Sequence, residues 1–125
     1  MKSYRQLLHV ESGQVLLKRI RWSNDFFSKL RGFTFRRSLA LDDGLVLVES
    51  KDSRVNSAIT MLFVVFDLGI IWVSDAGKVV DIIVAKPWRL SYAPKAPARY
   101  AVELHPSILE SVRLGDHLRF LDLAD

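Results

Sequence analysis

The side chains with chemistry to offer in this sequence are a few acids, three histidines and one aromatic, basic loop. His9, His105 and His117 fall in separate expected elements with no H-x-x-x-H or similar spacing, so any metal site would have to be assembled by the fold. The plainer expectation is surface or edge histidines and no metal. Asp67 interrupts the apolar run "MLFVVFDLGIIWV", Met61 to Val73, and Asp116 follows Gly115. In a pocket, either acid is a candidate general acid or base. Burying an unpaired carboxylate is costly, so Asp67 calls for backbone amides at a bend or for a cation such as Arg31, Arg36 or Arg99. The segment "KPWRLSYAPKAPARY" sets Trp88 and Tyr92 beside Lys86, Arg89, Lys95 and Arg99, a composition that stacks on flat ligands or anionic sugars. The competing expectation is that Trp88 folds back as a lid on the sheet while the cations stay in water.

Several chemistries have no support. With no cysteine, thiolate catalysis and cysteine-ligated zinc are out, and nothing calls for an oxidising compartment. The six glycines are scattered singly, without a G-x-S-x-G elbow or a phosphate-binding loop, and no cofactor is expected. Charge is uneven. Residues Lys18 to Arg37 hold seven basic side chains against Asp25, a surplus of +6 in a chain whose net charge is +4. Within them "RGFTFRR" partly resembles the aromatic RNA-binding strand signature, but Thr34 and Arg36 stand where a small and an aliphatic residue are wanted. Nucleic-acid contact through this 18–37 face is therefore a lesser candidate than a solvated basic surface.

The elements that must position these groups are mostly strands. "LLHVE" and "QVLLKRIRW" flank Ser12-Gly13 as a hairpin. Capping residues at Ser23 to Asp25, and Phe26, Phe27, Leu30 and Phe33 at helical spacing, predict a short helix from about Asn24 to Arg31, stopped by Gly32. Strands are expected at Leu45–Glu49, Val55–Phe66, Leu68–Val73, Lys78–Ala85, Arg99–Leu104 and His117–Leu123, with turns at Gly44, Gly77 and Gly115. A second short helix should open at Pro106, and Lys86–Ala98, holding three of the four prolines, should be a long exposed loop. The expected architecture is α+β and mainly β: a small curled or barrel-like antiparallel or mixed sheet with two short helices, forming one domain over residues 1–125. The segment Ala58–Val73 is too short to span a bilayer as a helix and carries Asp67, so no membrane span is expected. The charge spacing of the first twenty or so residues points to a cytoplasmic protein.

The order of "SKLRGFTFRRSLALDDGLVLVE", "AITMLFVVFDLGIIWVSDAGKVVDII", "KPW", "ARYAVEL" and "LGDHL" resembles the DUF192 family of uncharacterised bacterial and archaeal proteins, over about residues 10 to 122. The resemblance implies a compact β-rich domain without an established activity, cofactor or substrate. It places Gly32 and Arg36 on a G-L-M-x-R segment, Gly44 at the start of a short strand and Gly77 in a D-x-x-G-x-V hairpin. Pro87, Glu103, Gly115 and Asp116 fall on later landmarks. Relatives read F-P-L-D or F-P-I-D where this chain has Phe66-Asp67-Leu68-Gly69, so the acid stands two residues early and Gly69 replaces it. Side chains two apart share a strand face, which would leave Asp67 on the family acid's face but displaced by roughly 6 to 7 Å. On this reading Asp67 and Gly69 mark a bend between two core strands.

These features favour a non-enzymatic binding or accessory domain that takes an anionic small ligand or a protein partner on the 86–99 loop. Candidate contacts are Asp67, Arg36, Trp88, Arg89, Tyr92 and Arg99, with Gly32, Gly69, Gly77 and Gly115 structural. The alternatives are an enzyme with Asp67 or Asp116 in a pocket assembled by the fold, and nucleic-acid binding by the 18–37 face.

Overall fold

The structure, a computed structural model, describes residues 3–24 and 37–123. The expected helix at Asn24–Arg31, its Gly32 stop and Arg36 fall largely or wholly outside the described residues. Strands are β1 (Ser3–His9), β2 (Val15–Ser23), β3 (Gly44–Ser53), β4 (Leu68–Val73), β5 (Val79–Ala85), β6 (Ala98–Leu104) and β7 (Leu118–Asp122). They form one sheet in the order β5-β4-β6-β3-β2-β1-β7. Every neighbouring pair is antiparallel except β2 and β3, which run parallel from Arg21↔Leu45 to Ser23↔Leu47. The mixed, mainly β architecture is the expected one.

The sheet curls until its two edges meet at one corner. Lys78 bridges His117; the Val79 amide donates to the Asp116 carbonyl at 2.8 Å and the Leu118 amide to the Gly77 carbonyl at 2.9 Å. Joining the edges there satisfies backbone groups that an open sheet would leave as a template for aggregation. Gly77 makes the corner possible: its φ of 88° suits glycine, and a Cβ would sit 3.0 Å from the Leu118 carbonyl oxygen.

Each strand sends side chains inward. Leu7, Ile20, Val46, Ile71, Val79, Val102 and Leu118 come from β1 to β7 in turn and meet in one core. The 3-10 helix Pro106–Ser111 stands where the second short helix was expected, with Pro106 in its first turn and His105 as its cap. Its Leu109 packs against that core. Gly69 is small for this reason: a Cβ there would come within 3.1 Å of the Leu104 Cδ1 and 3.2 Å of the Leu109 Cγ.

A second core lies on the outer face of β3, β4, β5 and β6, where Leu45, Leu68, Ile70, Trp72 and Ala101 are covered by Ile59, Met61 and Val64. Strand β4 is therefore buried on both faces along its whole length. This corrects two expectations. Val55–Phe66 is not a strand, because turns closed by Ala58 N–H to the Val55 carbonyl and Val64 N–H to the Met61 carbonyl fold it onto the sheet as a cover. Nor do Asp67 and Gly69 mark a bend between two core strands: Asp67 lies before β4, exposed, and Gly69 is inside it facing packed leucines.

The prolyl loop is likewise less open than expected. Tyr92 and Ile59 exchange two backbone hydrogen bonds of 2.9 Å, the Lys86 amide donates to the Tyr92 hydroxyl at 2.9 Å, and the Lys95 amide donates to buried Asp81 at 3.0 Å. The Arg54 Nε donates to the Pro94 carbonyl at 2.9 Å. These bonds lay the loop across the outer core, leaving its first turn, Trp88 to Leu90, exposed. Among the described residues no helix is long and apolar enough to cross a membrane.

Candidate functional site

Where the 54–67 cover meets the first turn of the prolyl loop, the chain makes a strained and exposed knuckle. Met61 is its pivot: its amide donates to the Arg89 carbonyl at 2.9 Å and its carbonyl accepts from the Trp88 amide at 3.0 Å. This pairing holds Phe63 at φ 62° and Trp88 at φ 67°, the only non-glycine residues with positive φ among those described. A bulky side chain in that region costs of order 1–3 kcal/mol and persists only where its surroundings impose it. What the strain achieves is an edge-on pair of rings, 5.2 Å between centroids, turned toward solvent with Phe63 47% and Trp88 54% exposed. Val65, Val84 and Leu90 are also exposed large apolar side chains, Val65 and Leu90 lying two residues along the chain from the two rings. Trp88 does not lid the sheet.

Charge borders the knuckle. Asp67 accepts from the Lys86 Nζ at 2.9 Å, so among the described residues the first residue of the loop, and not Arg99, supplies it with a cation. Asp67 also edges a hollow of about 420 Å³ shared with Arg37, Ser38, Phe66 and His105. Two residues from His105, Glu103 is buried in β6, and burial pushes its carboxyl up to about 8 while Arg21 pulls the other way. Arg21, Leu45, Glu103 and Ile70 stand in register on adjacent strands.

The structure brings some expected residues together and separates others. Trp88, Arg89, Lys86 and Asp67 gather at the end of the sheet where Leu68 pairs with Ala85. Tyr92 is half-buried against the outer core and serves to anchor the loop. Arg99 belongs to the opposite end of β4, where Val73 pairs with Tyr100. There its guanidinium is committed to the Glu49 carbonyl at 2.8 Å and the Asp75 carboxylate at 2.9 Å. Arg36 lies outside the described residues. Phe63 is the exposed member of the knuckle that sequence reasoning missed, because in an extended strand it would alternate with its neighbours rather than reverse the chain.

Of the histidines, His9 departs from expectation, whereas His117 is exposed at the sheet edge as expected. His9 is buried, not superficial, with Nε2 2.7 Å from the Asp116 Oδ2 and Nδ1 2.6 Å from the Ser12 Oγ. His117 is bonded through Nδ1 to Glu11 at 2.6 Å. Hydrogen bonds from His9 and the Arg113 amide hold the Asp116 carboxyl below the usual range, and bonds from His117 do the same for Glu11. No spacing in the sequence signals this cluster; joining the barrel's edges creates it.

Residues 8–120 match the DUF192 family, described only as an uncharacterized ACR. The chain belongs to the DUF192 family. A DUF192 relative from Pyrococcus furiosus, a UPF0127 protein, is 33% identical over 116 residues, which is 91% of this chain and 97% of that one. Two crystal structures share the DUF192 chain's fold. One, from Sinorhizobium meliloti and described as a candidate transcription regulator, aligns with a TM-score of 0.77 at 19% identity over 96% of this chain and 94% of that one. The other, a Novosphingobium aromaticivorans protein of unknown function, gives 0.72 at 16% identity over 94% and 84%.

Proposed function

We propose that this DUF192 domain is a single, non-enzymatic binding module and that the Phe63–Trp88 knuckle is its contact surface for a protein partner presenting apolar side chains. The observation that carries the reading is the pair of adjacent positive-φ aromatics, strained and half-exposed at once. A backbone that bears strain to keep two rings in water gains nothing for its own core, whereas rigid aromatic anchors with charged rims characterise protein interfaces. Arg89 and the Lys86–Asp67 pair supply that rim. A cytoplasmic setting is part of the proposal, supported by the cysteine-free composition.

Panning a random peptide library against the chain tests it. Enriched peptides should carry apolar anchors, perturb the amide resonances of Phe63, Val65, Trp88 and Leu90, and lose binding to Trp88→Ala. Peptides that bind Trp88→Ala as well as the parent, or no enrichment at all, would sink the reading.

A second reading rests on the hollow at Asp67: an acid beside Arg37, Ser38 and His105 is a polar pocket of the kind an enzyme would need. Asp67→Asn should then abolish binding of small polar ligands in titration while leaving peptide binding at the knuckle intact. Nucleic-acid binding by the basic face is the weaker alternative, although one structural neighbour is described as a candidate regulator of transcription. Arg19 lies over the Tyr4 ring at 3.8 Å, and Asp42 and Asp43 share the groove of Lys18 and Arg21. Salt-independent behaviour on heparin would remove it.

A further inference from the structure

The closed corner of the barrel holds metal-ligating side chains that neither the knuckle nor the Asp67 hollow uses. We propose that His9, Glu11 and Asp116 form a binding site for a borderline divalent cation, with zinc the best fit.

The donor atoms converge. One ligating atom from each residue lies within 4.8 Å of the others. His9 Nε2 is 2.7 Å from the Asp116 Oδ2 and 3.9 Å from the Glu11 Oε1. Ligand atoms around a tetrahedral zinc with bonds near 2.0–2.1 Å stand roughly 3.3 Å apart, a spacing between those two separations. Small side-chain adjustments therefore suffice. The backbone that carries the ligands is fixed, since the His9 amide donates to the Gln14 carbonyl at 2.8 Å and the Val10 amide to the His117 carbonyl at 2.9 Å.

The supporting groups are those a metal site uses to orient its ligands. The His9 side chain is only 8% exposed, and its Nδ1 meets the Ser12 Oγ at 2.6 Å, which leaves Nε2 aimed at the carboxylates. Ser12 Oγ also accepts the Gln14 amide at 3.1 Å, so it is held in place to accept a hydrogen bond from a protonated Nδ1. Glu11 is gripped at both oxygens, by the His117 amide at 2.8 Å and the His117 Nδ1 at 2.6 Å. The Ser12 amide approaches Nδ1 at 3.3 Å, which favours the metal-free tautomer with its proton on Nε2, donating to Asp116. Cation binding at Nε2 moves that proton to Nδ1, toward Ser12.

Charge favours the same occupant. Two carboxylates face one imidazole, and a divalent cation neutralises both. One nitrogen and two oxygens suit zinc and its transition-metal neighbours better than calcium or magnesium, which favour oxygen donors throughout. Three protein donors leave at least one position for water or a partner's side chain.

Chelator-treated full chain, dialysed against micromolar zinc chloride, should retain one zinc per chain, melt at a higher temperature, and move the His9 ¹⁵N resonances from the Nε2–H to the Nδ1–H pattern. Glu11→Gln should weaken uptake at least ~10-fold and His117→Asn, which loosens only the grip on Glu11, by up to ~10-fold. Because Glu11 is solvent-accessible, its variant is expected to fold even if Asp116→Asn does not. No stoichiometric uptake by the parent chain, uptake undiminished in Glu11→Gln, or an unchanged His9 tautomer at saturation would each overturn the proposal.

Discussion

Trp72 and Trp88 belong to the same outer layer and are treated in opposite ways. Trp72, on β4, is wholly buried, and its indole N–H donates to the Ser57 carbonyl at 2.8 Å, so the ring is packed and its one polar atom satisfied. Trp88, 54% exposed, touches Phe63 edge-on and sits at a backbone angle that tryptophan avoids. The layer that packs Trp72 with Met61 and Ile59 leaves Trp88 outside it, exposed and at a strained backbone angle. The difference separates a side chain that holds the fold from one the fold displays.

The largest way to break the contrast is at Trp72. Trp72→Ala should cost about 3–5 kcal/mol in urea unfolding, with the cover at Ile59–Val64 loosened, because a full core side chain and its hydrogen bond are lost. If the cost were instead as small as that of a surface change, the outer layer would not be a core.

Next in size is Glu103. A carboxyl raised to about 8 in the folded chain, from 4.5 in the unfolded one, gives stability that is complete below about 4.5 and is lost as pH rises toward 8. Glu103→Gln should therefore stabilise the protein at pH 8 by roughly 2–4 kcal/mol and flatten that slope. Asp116 and Glu11 run the other way: their lowered values give stability present above the unfolded values, 3.8 and 4.5, and lost as pH falls below them. Urea midpoints across pH should show the parent chain most stable near pH 5; a monotonic rise toward pH 8 would refute the Glu103 assignment, and no loss of stability as pH falls below about 4 would refute those of Asp116 and Glu11.

Gly77→Ala comes third. A residue at φ 88° whose Cβ meets the Leu118 carbonyl at 3.0 Å should lose about 1–2 kcal/mol by strained turn and loosened corner, read as a lower melting temperature. The smallest stability effect is expected at the knuckle. Trp88→Ala should change unfolding free energy by no more than about 0.5 kcal/mol while abolishing selected-peptide binding, and a large destabilisation would make Trp88 a structural residue after all.

Much of the sheet was legible in the chain. Strands β2, β4, β5 and β6 announce themselves by β-branched runs between turn residues, and Gly77 and Gly115 mark turns that do require positive φ. The same local signal misled at Val55–Phe66, since burial against a sheet face selects apolar residues whether or not the segment joins the ladder. The acid's early position in "FDLG" was visible too, but not its meaning. Gly69 is explained by Leu104 and Leu109, which are 35 and 40 residues away, and Asp67 by Lys86, 19 away.

By itself, then, the sequence determined the family, the mainly β architecture and the aromatic, basic character of the 86–99 loop, because these follow from composition, periodicity and short-range turn chemistry. Only the tertiary structure decided which aromatic is buried and which displayed, that Arg99 stands apart from Trp88, and that His9, Glu11 and Asp116 share a corner. The physical reason is sheet closure: curling seven strands until β5 meets β7 brings together residues more than a hundred positions apart, and no local pattern encodes that contact.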